Sequence, residues 1–402
     1  MKALDLRGLP VIDDHVHTFG PEAGRRGFNP LDTVSLGGSD PAFLETSDHE
    51  LRDGERKHLT RQLTSTLGYH HAVHALASIL GCDANPAAVL AARDRECADF
   101  GGYIKRLYAD INLERSLIDV GLGSISLDDF ERLCGVPVGG IFRIENLLGA
   151  LWDDHDDLAG FDRAFLDGLD REAASGRHVA LKSIIAYRTG LAVEPPDRNQ
   201  ASRAFDSLKR SAVARGLMRM VHVPREHARE AKVLRDHWLW RALELSIDLG
   251  LPFQIHAGMG DQDLDINTAR PGLLAAVFRD SRLRHARIVL LHGAYPFHEE
   301  ASYLVDVFPN VYLDLSEHNL FLGPRVVDVL RSVTALAPFN KLLFGTDAYG
   351  SPDLQWVAAR TTIDALAIVL NELVSAGSLG REDAMSAGER ILAGNGRELY
   401  SL

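Results

Sequence analysis

Cysteine is scarce in this sequence: Cys82, Cys97 and Cys134 are the only three among 402 residues. They are odd in number, scattered and without C-x-x-C spacing, which argues against a disulfide scaffold and against a thiolate zinc site. Positive charge is also in deficit, with 43 Lys and Arg against 56 Asp and Glu and a net charge of −13. Nucleic acid and anionic membranes both recruit clustered Lys and Arg, so neither is the expected partner. No apolar run approaches the ~20 residues that span a bilayer. Asp5 and Arg7 interrupt the N-terminal stretch where a signal peptide would need an unbroken apolar segment. These absences predict a cytoplasmic chain acting on a small molecule, with homo-oligomerisation left open. Low-complexity tracts and repeats beyond strand–helix alternation are absent as well.

What the sequence does contain is a large apolar fraction, 46%, ample for a sizeable core. Short aliphatic runs recur at 9–17, 178–187, 252–258, 287–293, 310–316 and 341–347, with weaker ones at 116–121 and 138–145. The strong runs are continuously apolar rather than alternating, as expected of strands covered on both faces. Helical patterns lie between them at 157–175, 231–249, 272–284 and 353–376. Strands alternating with helices imply parallel βαβ units. Eight strand candidates predict an α/β fold, a (β/α)8 TIM barrel.

Spacing supports this reading. A β/α unit takes about 31 residues in a barrel of ordinary size. The interval from His256 to His292 is near one unit and that from His292 to Asp347 near two. The stretches from His17 to Lys182 and from Lys182 to His256 are too long. The prediction is therefore one barrel domain over 1–402, with a mostly helical insertion at about 20–100 and a smaller one at about 191–232, both capping the barrel mouth.

Nearly every strong run finishes on a residue able to bind a metal. His15 and His17 close the first, on one face because strand side chains alternate. Lys182 lies on the fourth, His256 ends the fifth, His292 the sixth and Asp347 the eighth. In a barrel the C-terminal strand ends carry the active site. One histidine at a strand end is more often a satisfied core residue than a ligand. A set of N and O donors in this order, each at a strand end, points instead to a divalent cation.

The order H-x-H, Lys, His, His, Asp resembles the amidohydrolase superfamily of metal-dependent (β/α)8 enzymes. The segments KSIIAYRTGL, PFQIHAGMGDQDLD, LLHGAYPFHEEASYL, NVYLDLS and FGTDAYGSP are similar to its amidohydrolase-2 branch. Within that branch the likeness is greatest to amidohydrolase-like domains fused to, or found beside, glutamine-synthetase-like proteins. The resemblance implies that His15, His17 and Asp347 bind one metal, with His256 shared or on a second. It implies Asp347 as proton acceptor, and His292 as second-metal ligand or as a neutral imidazole facing a developing oxyanion. Lys182 would be carbamylated between two ions, or would hold a substrate anion beside one. The cofactor is thus one or two ions of zinc, manganese or iron.

Weaker candidates surround this set. Arg188 could grip a substrate carboxylate; Glu145, His298 and His318 are further substrate-contact candidates. Asp261 and Asp263 read as a solvated loop, and His70, His71 and His74 as a structural or lid-facing cluster. The function expected is hydrolysis of an amide, lactone or ester bond, by metal-activated water, in a small carboxylate-bearing molecule. The alternatives are nonoxidative decarboxylation, oxygenation at a non-heme di-iron site, and a non-enzymatic binding scaffold.

Overall fold

The computed structural model describes residues 3–34, 53–123, 125–211 and 225–402. Parts of both expected insertions, 35–52 and 212–224, lie outside the described residues. Eight strands form one sheet in chain order: β1 (Val11–Val16), β2 (Leu113–Asp119), β3 (Val138–Arg143), β4 (His178–Ser183), β5 (Phe253–Ile255), β6 (Ile288–Leu290), β7 (Val311–Asp314) and β8 (Leu342–Leu343). Pairing is parallel from β1 to β2 and from β3 through β7. This is the expected (β/α)8 TIM barrel. Each strong apolar run contains a strand, and β1, β5 and β6 are buried along their whole length. The one helix misjudged is 272–284. It divides into a 3-10 turn at Pro271–Leu274 and a short helix at Ala275–Arg279 that ends where Asp280 turns extended.

By its internal contacts the chain divides into two compact units. The first comprises 1–118, 122–138 and 315–397. Here the chain between β1 and β2 supplies helices at Leu67–Leu80, Pro86–Glu96 and Phe100–Asp110. Their caps explain their boundaries: Thr66, Asn85 and Asp99 each accept a backbone N–H of the first turn. The insertion is tied to the helix Pro352–Ser375 by a buried ion pair. Arg93 Nη2 lies 2.9 Å from Asp353 Oδ2 and also donates to the Ala23 carbonyl, while Tyr103 donates to Asp353 Oδ1 at 2.6 Å. Arg93 and Asp353 are both fully buried. Burial and the Asp353 carboxylate hold the Tyr103 hydroxyl far above its ordinary pKa, so it stays a donor.

The second unit comprises 119–121, 139–314 and 398–402. Its inserted helix Arg198–Lys209 is held by an aromatic cluster. Phe205 packs 5.1 Å from Trp152 and 5.7 Å from Phe161, and Trp238, on the helix Ala228–Leu249, lies 4.6 Å from Phe161. These aromatic contacts anchor the inserted helix, and its last residue, Lys209, adds a cation 4.8 Å from the centroid of the Trp152 ring.

Replacing Asp353 by Ala leaves a buried guanidinium and a buried phenol without their shared acceptor. The expected loss is about 3–5 kcal/mol of unfolding free energy, measured by urea denaturation. A variant as stable as the parent would contradict the role given to this pair.

Candidate metal centre and its surroundings

In the first unit β1 passes beside the segment that follows β8. Asp14 N–H donates to Phe344 O at 2.9 Å, Asp347 N–H to His15 O at 2.7 Å, and His17 N–H to Ala348 O at 3.0 Å. These bonds fix the register that brings three side chains together. His15 Nε2 lies 3.4 Å, and His17 Nε2 3.2 Å, from Asp347 Oδ1. The three donor atoms all fall within 4.8 Å of one another. His15 is wholly buried, and the Asp347 side chain keeps 14% exposure. Two imidazole nitrogens and one carboxylate oxygen at this separation are the donor set a divalent cation selects. The residues fit such an ion.

Asp347 holds φ of +52°, a left-handed conformation that costs a non-glycine residue about 1–3 kcal/mol. Asp13, the neighbour of this strained segment on β1, meets part of that cost. It accepts the Thr346 N–H at 2.9 Å, the Thr346 hydroxyl at 2.5 Å and Gln355 Nε2 at 2.9 Å. Gln355 is itself fixed by Tyr108, whose hydroxyl donates at 2.6 Å. Sequence reasoning missed Asp13, although the doubled acid in VIDDHVH was its signal.

In the second unit the ends of β2 to β7 carry a different chemistry. Asp119, at the end of β2 and also missed, takes Lys182 Nζ at 2.9 Å and Arg143 Nη2 at 2.5 Å on the same oxygen. Gly121 is required beside it, since a Cβ there would stand 2.2 Å from Arg143 Nε. Glu145 lies in the first turn of the helix Ile144–Leu151, just past β3, and accepts from the Ser183 hydroxyl at 2.6 Å and Ile184 N–H at 2.9 Å. The rings of His256 and His292 stand 4.4 Å apart, and Tyr187 packs 4.5 Å from His256. His256 Nε2 donates to Met259 O at 2.8 Å. The His292 N–H donates to Asp314 at 3.0 Å, and His292 holds φ of +66°. Gly258 lets this chain approach closely, because a Cβ there would meet the Ala294 carbonyl carbon at 2.3 Å.

The weaker candidates separate. Arg188 is half-buried after the turn Ile185–Tyr187. His298 starts the helix His298–Val307 and stacks on Tyr295, and burial lowers its pKa. His318 is wholly buried, with Nδ1 2.8 Å from Ser316 O. Asp261 and Asp263 are half-buried. His70 and His74 are exposed, whereas His71 pairs with the Thr361 hydroxyl at 2.8 Å, a structural contact. The three cysteines are free, and burial pushes the Cys97 and Cys134 thiols up to about 11. Among the described residues no helix is long and apolar enough to cross a membrane.

The fold is a (β/α)8 barrel, and its His15, His17 and Asp347 donor set fits a divalent cation. The amidohydrolase family model matches residues 161–402, and the chain belongs to that family. The chain is 31% identical over 366 residues to Protein fluG of Emericella nidulans, covering 84% of this chain. It spans only about two fifths of that relative's length, 41%. An inferred metal-dependent hydrolase from Lactobacillus casei superposes with a TM-score of 0.81 at 26% identity, over 100% of this chain and 98% of the other. Uronate isomerase from Thermotoga maritima shares the fold, with a TM-score of 0.67 at 14% identity over 98% of this chain and 95% of that one.

Asp119→Asn weakens the shared acceptor of two buried cations. The expected result is destabilisation by about 3 kcal/mol, read as a lower denaturation midpoint. Unchanged stability would show that the Asp119–Lys182–Arg143 cluster is not held by charge.

Proposed function

We propose that the protein is a hydrolase that uses one divalent cation, held by His15, His17 and Asp347, to cleave an amide, lactone or ester bond in a small carboxylate-bearing molecule. The observation that carries this reading is the meeting of His15 Nε2, His17 Nε2 and Asp347 Oδ1 within 4.8 Å. A divalent ion at that point would acidify water and polarise a carbonyl oxygen. Asp347, whose side chain is 14% exposed, takes the proton of the attacking water and returns it to the leaving group. Asp13 and Thr346 keep that carboxylate in place.

The ion pair of Lys182 with Asp119 supports one cation rather than two. Asp119 engages the Nζ that a carbamate would have to occupy, so Lys182 on this reading is an ion-pair partner rather than a bridging ligand.

Metal analysis of the purified protein should return one equivalent of zinc, manganese or iron, with His17→Ala losing both the metal and the hydrolysis of a panel of amides, lactones and esters. Full metal content in His17→Ala would overturn the site. Carbon dioxide release without incorporation of labelled water oxygen would replace hydrolysis by decarboxylation. Asp13→Ala, which removes the acceptor shared by Thr346 and Gln355 beside Asp347, should weaken metal affinity by about 10- to 100-fold, as measured by competition with a chelator. Unaltered affinity would mean that Asp13 serves the fold alone.

A further inference from the structure

The helix Leu67–Leu80, within the first unit, carries a histidine cluster that the hydrolase reading leaves unused: His70, His71 and His74. The structure divides this cluster in two. His71 turns inward, with Nε2 2.8 Å from the Thr361 hydroxyl on the helix Pro352–Ser375. His70 and His74 lie four residues apart and are both exposed. Among the described residues neither of these two rings has a hydrogen-bond or ion-pair partner. His70 keeps an edge contact with Tyr69, ring centroids 5.9 Å apart.

The backbone beneath the pair is fixed. Thr66 caps the first turn, and Gly81 ends the helix in the left-handed conformation. Ala72, Val73, Leu76 and Ala77 are buried on the inner side. Gly68 permits a close approach, because a Cβ there would stand 2.6 Å from Phe321 O. Residues four apart on a helix are neighbours, with Cβ atoms about 5–6 Å apart. Two imidazoles so placed can close on a single cation by side-chain rotation alone, and a backbone already ordered lowers the entropic cost of doing so. Nitrogen donors of this kind suit the borderline cations copper(II), nickel(II) and zinc(II) rather than magnesium.

We propose that His70 and His74 form a surface site for one borderline divalent cation, with two imidazole nitrogens from the chain and water in the remaining positions. The site shares no residue with the group His15, His17 and Asp347, and it stands independently of the hydrolase reading. A cation held there clips one turn of the inserted helix and stabilises it against opening.

Nickel(II) is the probe, added to the full chain. Diethyl pyrocarbonate, which acylates imidazole nitrogen, reports on each ring through mass spectrometry. Nickel should protect His70 and His74 together, at a shared half-protecting concentration, while magnesium protects neither. In His70→Ala the concentration that half-protects His74 should rise about tenfold or more, because the second donor is gone. Adding Ser78→His to His70→Ala restores a pair four residues apart and should return that concentration to within about threefold of the parent. The altered side chains are exposed, so neither variant strains the fold. Unchanged protection of His74 in His70→Ala would overturn the proposal. So would protection of His71 in place of His70, or magnesium as effective as nickel. The readout is taken at these rings whatever the buried centre holds, so failure here and failure of the hydrolase reading are told apart.

Discussion

The seam between β1 and the segment after β8 is the constraint on which the rest depends. Three backbone hydrogen bonds there, from Asp14, Asp347 and His17, set the register that faces two imidazoles with one carboxylate. A slip of one residue would send His15 and His17 to the opposite face. The left-handed φ of Asp347 is strain kept in place by Asp13, whose two oxygens hold the Thr346 N–H and hydroxyl. Local strain at the end of a strand, supported by a buried acid, is how this chain aims a side chain that the strand geometry would otherwise turn away.

A second constraint is charge. The other unit buries Arg143, Lys182 and Arg235 alongside Asp119 and Glu145. Each ion removed from water needs a partner, and the ledger differs from site to site. Arg143 and Lys182 share Asp119 and are structural cations. Arg188 makes no hydrogen bond to a described residue, and Glu145 and Asp263 oppose the cost of its burial.

Much of this was legible in the sequence, and the reason is physical. Strands covered on both faces must be continuously apolar, so β5, β6 and β7 announced themselves, and the polar residue ending each run marked the strand's C-terminal end. His15, His17 and Asp347 were identified from that pattern together with the likeness to a known superfamily. Asp13 and Asp119 were not. Each acts through a partner far away in the chain, and no short-range period reveals which distant residue an acid will meet. The broken helix after Pro271 was misread because the apolar spacing of Leu274, Val277 and Phe278 outweighed Gly272 and the helix end at Asp280. Glu145 was expected at the end of β3 and lies in the first turn of the following helix, a shift that a strand-end rule does not resolve.

Anomalous scattering from crystals of the metal-loaded protein, recorded on both sides of the metal's absorption edge, tests the central claim most directly. The account predicts a single strong peak about 2.0–2.2 Å from His15 Nε2, His17 Nε2 and Asp347 Oδ1. A fully occupied metal elsewhere, or one that leaves any of these three atoms unligated, would contradict it.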